Sequence, residues 1–408
     1  MKILFVHQNY PGQYPHLAKA LAMDPRHQVV AIGEKKERPS YGYPVLTYAP
    51  PQGPSPKTHP YVRDHEGHVR RGQQVFRLCQ ELRRRGFVPD VICAHPGWGE
   101  TLFLKDVFPA ARLLSYCEFF YRAQGSDMDF DLEFPSNLDS LLKVRIKNAT
   151  QLLALTASDA GISPTAWQHS QYPPEYRSRI RIQHDGIDTN LVCPNPEARL
   201  LLGEGKPVLG VEDEVVTFVA RNLEPYRGFH SFVRAIPAIQ RARPNARIVI
   251  IGGNDVSYGR RLPEGQTYAE RYLSEISFDP TRVHFLGRVP YQTYLAALRV
   301  SSVHVYLTYP FVLSWSCLEA MAAGCVLVGS RTAPVQEVIA HGETGLLVDF
   351  FSAQDIAARV TDVLANQADF ERMRGNARNY IREGYDLHSV AIPAQTRIVE
   401  SLLDTPSA

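Results

Sequence analysis

The sequence predicts an α/β protein built from two doubly wound, Rossmann-like domains. Three observations predict it. The chain has 408 residues, and domains usually run to roughly 100–200 residues. Short, near-continuous apolar runs alternate with helical stretches through both halves, as parallel strands covered on both faces do. A Pro- and Gly-rich seam divides the two series at Cys193-Pro194-Asn195-Pro196 or at 203–210 just after it, where regular structure should stop.

The first series of strands is expected at 2–7, 28–32, 90–94, 112–115, 152–155 and 179–183. The second is expected at 215–220, 247–251, 283–286, 303–307, 326–329 and 346–348. Each is an apolar run of strand length bounded by polar or turn residues. The expected domains are therefore 1–195 and 205–385, followed by a helical stretch at 386–408 that is free to pack back on the first domain. Residues 41–60 carry Pro44, Pro50, Pro51, Pro54, Pro56 and Pro60 and read as an extended loop. A helix should follow, with Val75, Phe76, Leu78 and Leu82 inward and Arg63, Arg70, Arg71, Arg77, Arg83, Arg84 and Arg85 along it. The arginines read as a solvated basic face, or as a dock for an anionic acceptor or a membrane surface.

Composition narrows the class. Hydrophobic residues make up 44% and charged residues 21%, as in globular proteins with full cores. A net charge of +2 does not suit nucleic acid as the main partner. The six cysteines form no CxxC pair, which suggests reduced thiols in a cytoplasmic protein rather than a disulfide frame or a zinc site. No run of about 18 apolar residues is present, so no bilayer span is expected. The run at 1–7 is too short for a secretory signal and reads as a first buried strand.

Chemistry concentrates in the second half. After the strand at 303–307 comes Tyr309-Pro310-Phe311-Val312-Leu313-Ser314-Trp315-Ser316-Cys317-Leu318-Glu319, a turn that opens a helix. A helix N-terminus offers free N–H groups and partial positive charge to a phosphate. Glu319 just inside it suits ribose hydroxyls. Alternatively, Ser316 to Glu319 fits a capping box that merely ties down the helix start. The strand at 215–220 ends in Arg221 and Arg227, two guanidinium groups able to clamp a diphosphate or to pair with Glu224 or Asp213. Gly252-Gly253 and Gly287-Arg288-Val289 end two further strands. They read as tight turns, or as places where the backbone meets a nucleotide.

The order and spacing of these elements resemble the retaining glycosyltransferases of family 4. The resemblance covers nearly the whole chain. It is strongest at 221–228, 285–289, 319–324 and 341–348, with His184-Asp185-Gly186-Ile187-Asp188 similar to that family's Asn-Gly-Val-Asp element. It implies the GT-B fold, two Rossmann-like domains facing each other across a cleft. It also implies transfer of a sugar from a nucleotide donor with retained anomeric configuration. By resemblance, Arg221 and Arg227 bind the donor diphosphate, Arg227 standing where the family usually has lysine. The 286–289 loop, with Gly287, Arg288 and Val289, lies at the nucleobase, and Glu319 binds the ribose; Gly253 is a further candidate contact to the nucleotide. Val312, Leu313, Ser314, Trp315 and Ser316 offer backbone amides to sugar and diphosphate, and Gly12 in Tyr10-Pro11-Gly12-Gln13 closes over the β-phosphate.

Two departures stand out. Phe311 lies eight residues before Glu319, where the family usually places a sugar-binding glutamate. Glu118 stands where the family often has a histidine near the transferring carbon, and it either serves there or pairs with Arg122 or Arg112. His95 ends another strand and reads as a contact to acceptor or donor, or as a structural histidine. Asp127-Met128-Asp129-Phe130-Asp131 contains a DxD, but in a loop of the first half. No metal or other cofactor is expected beyond the nucleotide-sugar co-substrate, a UDP-sugar before a GDP-sugar. The acceptor is expected to be a hydroxyl on a glycan, a lipid-linked or a small-molecule precursor. The alternatives are a non-catalytic GT-B subunit supporting a partner transferase, and a nucleotide-sugar epimerase of the same fold.

Overall fold

The computed structural model describes residues 1–37 and 39–404. Its first sheet is built from β1 (Lys2–Val6), β2 (Gln28–Glu34), β3 (Val45–Tyr48), β4 (Val91–Ala94), β5 (Arg112–Tyr116), β6 (Ala160–Ser163) and β7 (Ile180–Ile182). The strands lie in the order β3-β2-β1-β4-β5-β6-β7, all parallel. Strand periodicity divides the core between the two faces. Ile3 and Phe5 of β1 join the apolar cluster on one side, and Leu4 and Val6 join the cluster on the other.

The second sheet comprises β10 (Val215–Asn222), β11 (Arg247–Gly253), β12 (Val283–Gly287), β13 (Val303–Tyr306), β14 (Val326–Ser330) and β15 (Leu346–Val348). Its order is β12-β11-β10-β13-β14-β15, again all parallel. Between the two sheets in sequence, β8 (Arg199–Leu201) and β9 (Val208–Gly210) form an antiparallel hairpin.

The chain divides into two units. One runs from Met1 to Gly186 and resumes at Leu387; the other is Ile187–Asp386. The first unit regains the chain's last helix, Ile392–Ser401, because Ile398, Val399 and Leu402 are buried in the same cluster as Ile3 and Phe5. No helix of the described residues is long and apolar enough to cross a membrane.

Three expectations are corrected. The segment expected as a strand at 152–155 lies in the helix Ala149–Ala157. Its buried residues Gln151, Ala154 and Leu155 share one helical face, and the strand is the next run, β6. The proline-rich loop at 41–60 contains β3, an edge strand whose Tyr48 is buried. The 203–210 segment expected as linker forms part of the β8–β9 hairpin, because Leu200, Leu202 and Leu209 pack beside Val215, Val249 and Ile251.

The basic helix is Arg63–Arg84, and much of its charge is engaged locally. Arg70 pairs with Glu66, Arg84 and Arg85 pair with Glu81, and Arg71 turns to Glu34 and Glu100.

Candidate functional site

In an open parallel sheet, ligands bind outside the carboxyl ends of the strands, where the strand order reverses. In the second unit that point lies between β10 and β13. Arg221 is on β10 itself and Arg227 lies in the turn that follows; residues 307–316 follow β13. Gly228 permits their approach. It sits at φ +68°, and an added Cβ would lie 2.3 Å from the Leu307 Cβ.

The two arginines differ in their surroundings. Arg221 is exposed and has no hydrogen bond or ion pair among the described residues. Arg227 is buried. Its Nη1 donates to the Thr308 hydroxyl and to the Val312 carbonyl, both at 2.9 Å. Nη2 and Nε have no bonded partner among the described residues. Tyr258 and Phe311 stand near its guanidinium, at 5.5 and 6.0 Å from their ring centres. Glu224 pairs with neither arginine; it accepts the backbone N–H groups of Ser257, Tyr258 and Gly259 at 2.9–3.1 Å. Phe311 is itself 3% exposed and packs among Tyr226 and Tyr258, with ring centres 5.6 and 4.9 Å away.

The helix after the turn is Trp315–Ala322, capped by Ser314. Glu319 is therefore in its second turn and is not the carboxylate of a capping box, so that reading is overturned. The carboxylate instead accepts hydrogen bonds from the Tyr291 hydroxyl at 2.6 Å and the Tyr294 hydroxyl at 2.7 Å, one on each oxygen. Burial pushes the Glu319 carboxyl up, against the opposing effect of the two phenol donors. Among the proposed backbone donors, the Ser314 N–H is engaged by the Tyr306 hydroxyl at 2.8 Å, and the Ser316 N–H reaches the Ser314 Oγ at 3.4 Å. Leu313 is a core residue, and Trp315 is exposed.

Arg288 lies exposed after β12. It donates to Asn222 Oδ1 at 2.9 Å and to Asp255 at 2.7 Å. Gly253 makes room for it, since an added Cβ would lie 2.6 Å from the Arg288 Nε. Gly287 turns at φ +66°, and Val289 is half-buried against the core. Arg221, Arg227, the 312–316 turn, Glu319 and the 287–289 loop thus all belong to the second unit.

Gly12, His95 and Glu118 belong to the first unit. There the strand order reverses between β1 and β4. Gly12 is in the loop after β1, and His95 directly follows β4. Gly12 has φ +53°, and an added Cβ would lie 2.3 Å from the His7 Nε2. The neighbouring Gln13 Nε2 donates to Glu118 Oε1 at 3.2 Å, and the other Glu118 oxygen lies 3.3 Å from the His95 Nε2. The His95 Nδ1 accepts the Gly97 N–H at 3.0 Å, and its ring stacks on Trp98 at 4.6 Å. Glu118 is thus drawn to Gln13 and His95. Arg112, an alternative partner, pairs with Asp159 at 3.0 Å. The DxD carboxylates take donors from their own loop: Ser126 to Asp127, Ser136 to Asp129 and Glu133 to Asp131, at 2.7–3.0 Å.

Sequence reasoning missed Tyr291, Tyr294, Thr308 and Tyr258. Only the tyrosines left a signal. Tyr291 and Tyr294 are spaced i, i+3, on one helical face, directly after the 286–289 loop.

Two parallel, Rossmann-like units make up a fold of the GT-B class. Comparison with known proteins agrees. Residues 205–380 match the glycosyl transferases group 1 family, and residues 25–192 match the glycosyl transferase family 4 group.

Among curated relatives, it is 27% identical over 206 residues to a D-inositol 3-phosphate glycosyltransferase of Corynebacterium glutamicum, covering 50% of this chain and 48% of that protein. It is 24% identical over 219 residues to a GDP-mannose-dependent alpha-(1-6)-phosphatidylinositol monomannoside mannosyltransferase of Mycolicibacterium smegmatis, covering 49% and 51%. The match thus spans about half the length of these relatives. The fold is that of Anabaena HepE solved with UDP-glucose, at TM-score 0.69 and 16% identity over 99% of this chain and 100% of that one. Sucrose-phosphate synthase of Thermosynechococcus elongatus has it too, at TM-score 0.71 and 17% identity over 99% and 100%.

Proposed function

We propose that this protein is a retaining glycosyltransferase that moves a hexose from a nucleotide-diphosphate sugar to a hydroxyl acceptor. The acceptor is a glycan, a lipid-linked or a small-molecule precursor, and UDP-sugars are the preferred donors before GDP-sugars. The observation that carries this reading is the grouping in the second unit. An exposed and a buried arginine and a phenol-held carboxylate all belong to elements around the reversal of one parallel sheet. The diphosphate takes the arginines, the ribose takes Glu319, and the base lies by residues 287–289. The solved HepE complex holds UDP-glucose, and the mannosyltransferase relative is named as GDP-mannose-dependent, which supports both donor classes.

As the glycosidic bond breaks, negative charge collects on the leaving diphosphate. Arg221 and the unengaged Nη2 and Nε of Arg227 stabilise that charge without reorganising. This reading needs no divalent ion. In the first unit, the Gly12 loop is assigned to the donor's β-phosphate, and the His95–Glu118 pair to the transferred sugar or the acceptor. The cysteines, all free, suit the reducing cytoplasm.

The test is a panel of UDP-, GDP- and ADP-sugars scored by thermal shift and slow hydrolysis, with and without EDTA. A UDP-sugar should give the largest shift, and hydrolysis should survive EDTA. If no nucleotide sugar shifts or hydrolyses, the reading fails. One observation favours the second reading, a non-catalytic donor-binding subunit: Phe311 is buried among rings where a sugar-binding carboxylate is expected. Nucleotide binding with neither hydrolysis nor transfer would select that reading.

A further inference from the structure

We infer that Tyr291 and Tyr294 form a positioning pair that presents Glu319 to the vicinal diol of a ribose and so sets the site's discrimination for ribonucleotides. This rests on the nucleotide reading above.

The geometry is specific. The helix Tyr291–Arg299 begins after Pro290, and its first turn sends two phenols to one carboxylate, at 2.6 Å on Oε1 and 2.7 Å on Oε2. An ionised carboxylate has about four lone-pair sites. The phenols use one on each oxygen and leave one on each, the number a vicinal diol requires. Both phenols are held protonated by burial and by the carboxylate beside them, so they remain donors. Tyr294 is 9% exposed and belongs to the core, whereas Tyr291 is 45% exposed. The inner ring therefore fixes the carboxylate and the outer one closes its solvent side. Charge-assisted hydrogen bonds of this length are stronger than neutral ones, and they hold Glu319 in one rotamer before any ligand arrives.

The pair also connects two recognition elements. Residues 287–289 end one strand and lead directly into Pro290 and Tyr291. A shift of that loop moves the phenols, and through them Glu319. Base and ribose recognition are then coupled through a single helix start.

The test is a ligand–variant cycle by calorimetry, using UDP and its 2′,3′-dideoxy counterpart. Wild-type protein should bind UDP at least about tenfold more tightly than the dideoxy form, the value of one or two hydrogen bonds to a charged group. The double variant Y291F/Y294F should lose about tenfold in UDP affinity and change little toward dideoxy-UDP, so that the ratio falls toward one. Y294F alone should give most of the effect. If the two ligands weaken together, or the wild-type ratio persists, the tyrosines merely satisfy a buried carboxylate and the inference is overturned. If wild-type protein binds neither UDP, GDP nor ADP, the nucleotide reading falls and takes this inference with it. If only GDP or ADP binds, the same cycle is run with that nucleotide and its dideoxy form.

Discussion

Arg221 and Arg227 are both assigned to the diphosphate, yet the structure predicts opposite stability consequences for their removal. Arg221 is exposed with no bonded partner among the described residues, so Arg221→Ala should shift folding stability by no more than about 0.5 kcal/mol. Its loss removes one charge-assisted contact to the leaving group, about 1.5–3 kcal/mol, or roughly ten- to a hundredfold in turnover. Arg227→Met removes two hydrogen bonds from a buried charged donor, to Thr308 and Val312. Relief of the buried charge offsets part of that loss, leaving about 2–4 kcal/mol of destabilisation. For a unit of this size that is a Tm lower by roughly 5–15 °C, in addition to the loss of turnover. The assay pairs thermal unfolding with donor hydrolysis on the same preparations. The reasoning is refuted if Arg221→Ala turns over at the wild-type rate. It is refuted equally if that variant loses stability in step with activity, since an exposed arginine without partners has no route to that result.

Four further outcomes are expected. Glu319 accepts both ribose hydroxyls best when ionised, and burial raises its proton affinity. Donor affinity measured against pH should therefore fall on the acid side with a midpoint above the usual carboxylate range, and Glu319→Gln should flatten that limb. Gly12→Ala places a side chain at φ +53° and onto the His7 ring. Turnover should drop severalfold and UDP affinity should weaken with it, as steady-state kinetics and calorimetry would report. Phe311→Glu buries a carboxylate in an aromatic cluster; a loss of about 3 kcal/mol or more is expected by thermal unfolding, and an unchanged Tm would deny the rings their packing role. His304 is fully buried, and its pKa is lowered to about 3 by that burial. A depressed folded pKa gives stability that is present above the unfolded value near 6.5 and lost as pH falls toward 3. Stability should decline by about 1.4 kcal/mol per pH unit from this group, and His304→Phe should reduce the slope in denaturant titrations.

The parallel strands were legible because nearly all are short apolar runs between turn residues. The failures share a cause: a brief apolar run does not reveal its partner. Residues 149–157 carry enough leucine to resemble a strand, yet their buried positions follow a helical face and the true strand is the less apolar Ala160-Gly161-Ile162-Ser163. Residues 203–210 look like a linker because of Gly203, Gly205, Pro207 and Gly210, while Leu200, Leu202 and Leu209 around them fill a core distant in sequence. At the site, the residue types at 221, 227 and 319 were readable from local spacing. The partners of Glu319 were not, because Tyr291 and Tyr294 lie 28 and 25 residues away in sequence and meet it only through packing. The Ser316–Glu319 spacing suggested a cap for the same reason: sequence does not show that the helix starts two residues earlier than such a cap requires, at Trp315 after Ser314.

The last helix, whose Ile398 and Val399 are buried beside Ile3 and Phe5, has a consequence for synthesis. Domains generally fold as units while the chain emerges, N-terminal first. Here the first sheet leaves the ribosome first but keeps part of its apolar face uncovered until the final helix follows, with the whole Ile187–Asp386 unit made in between. The unit started first is the unit finished last. Through that interval the growing chain carries an unsealed face, the place where a holdase would bind or a neighbouring nascent copy would stick.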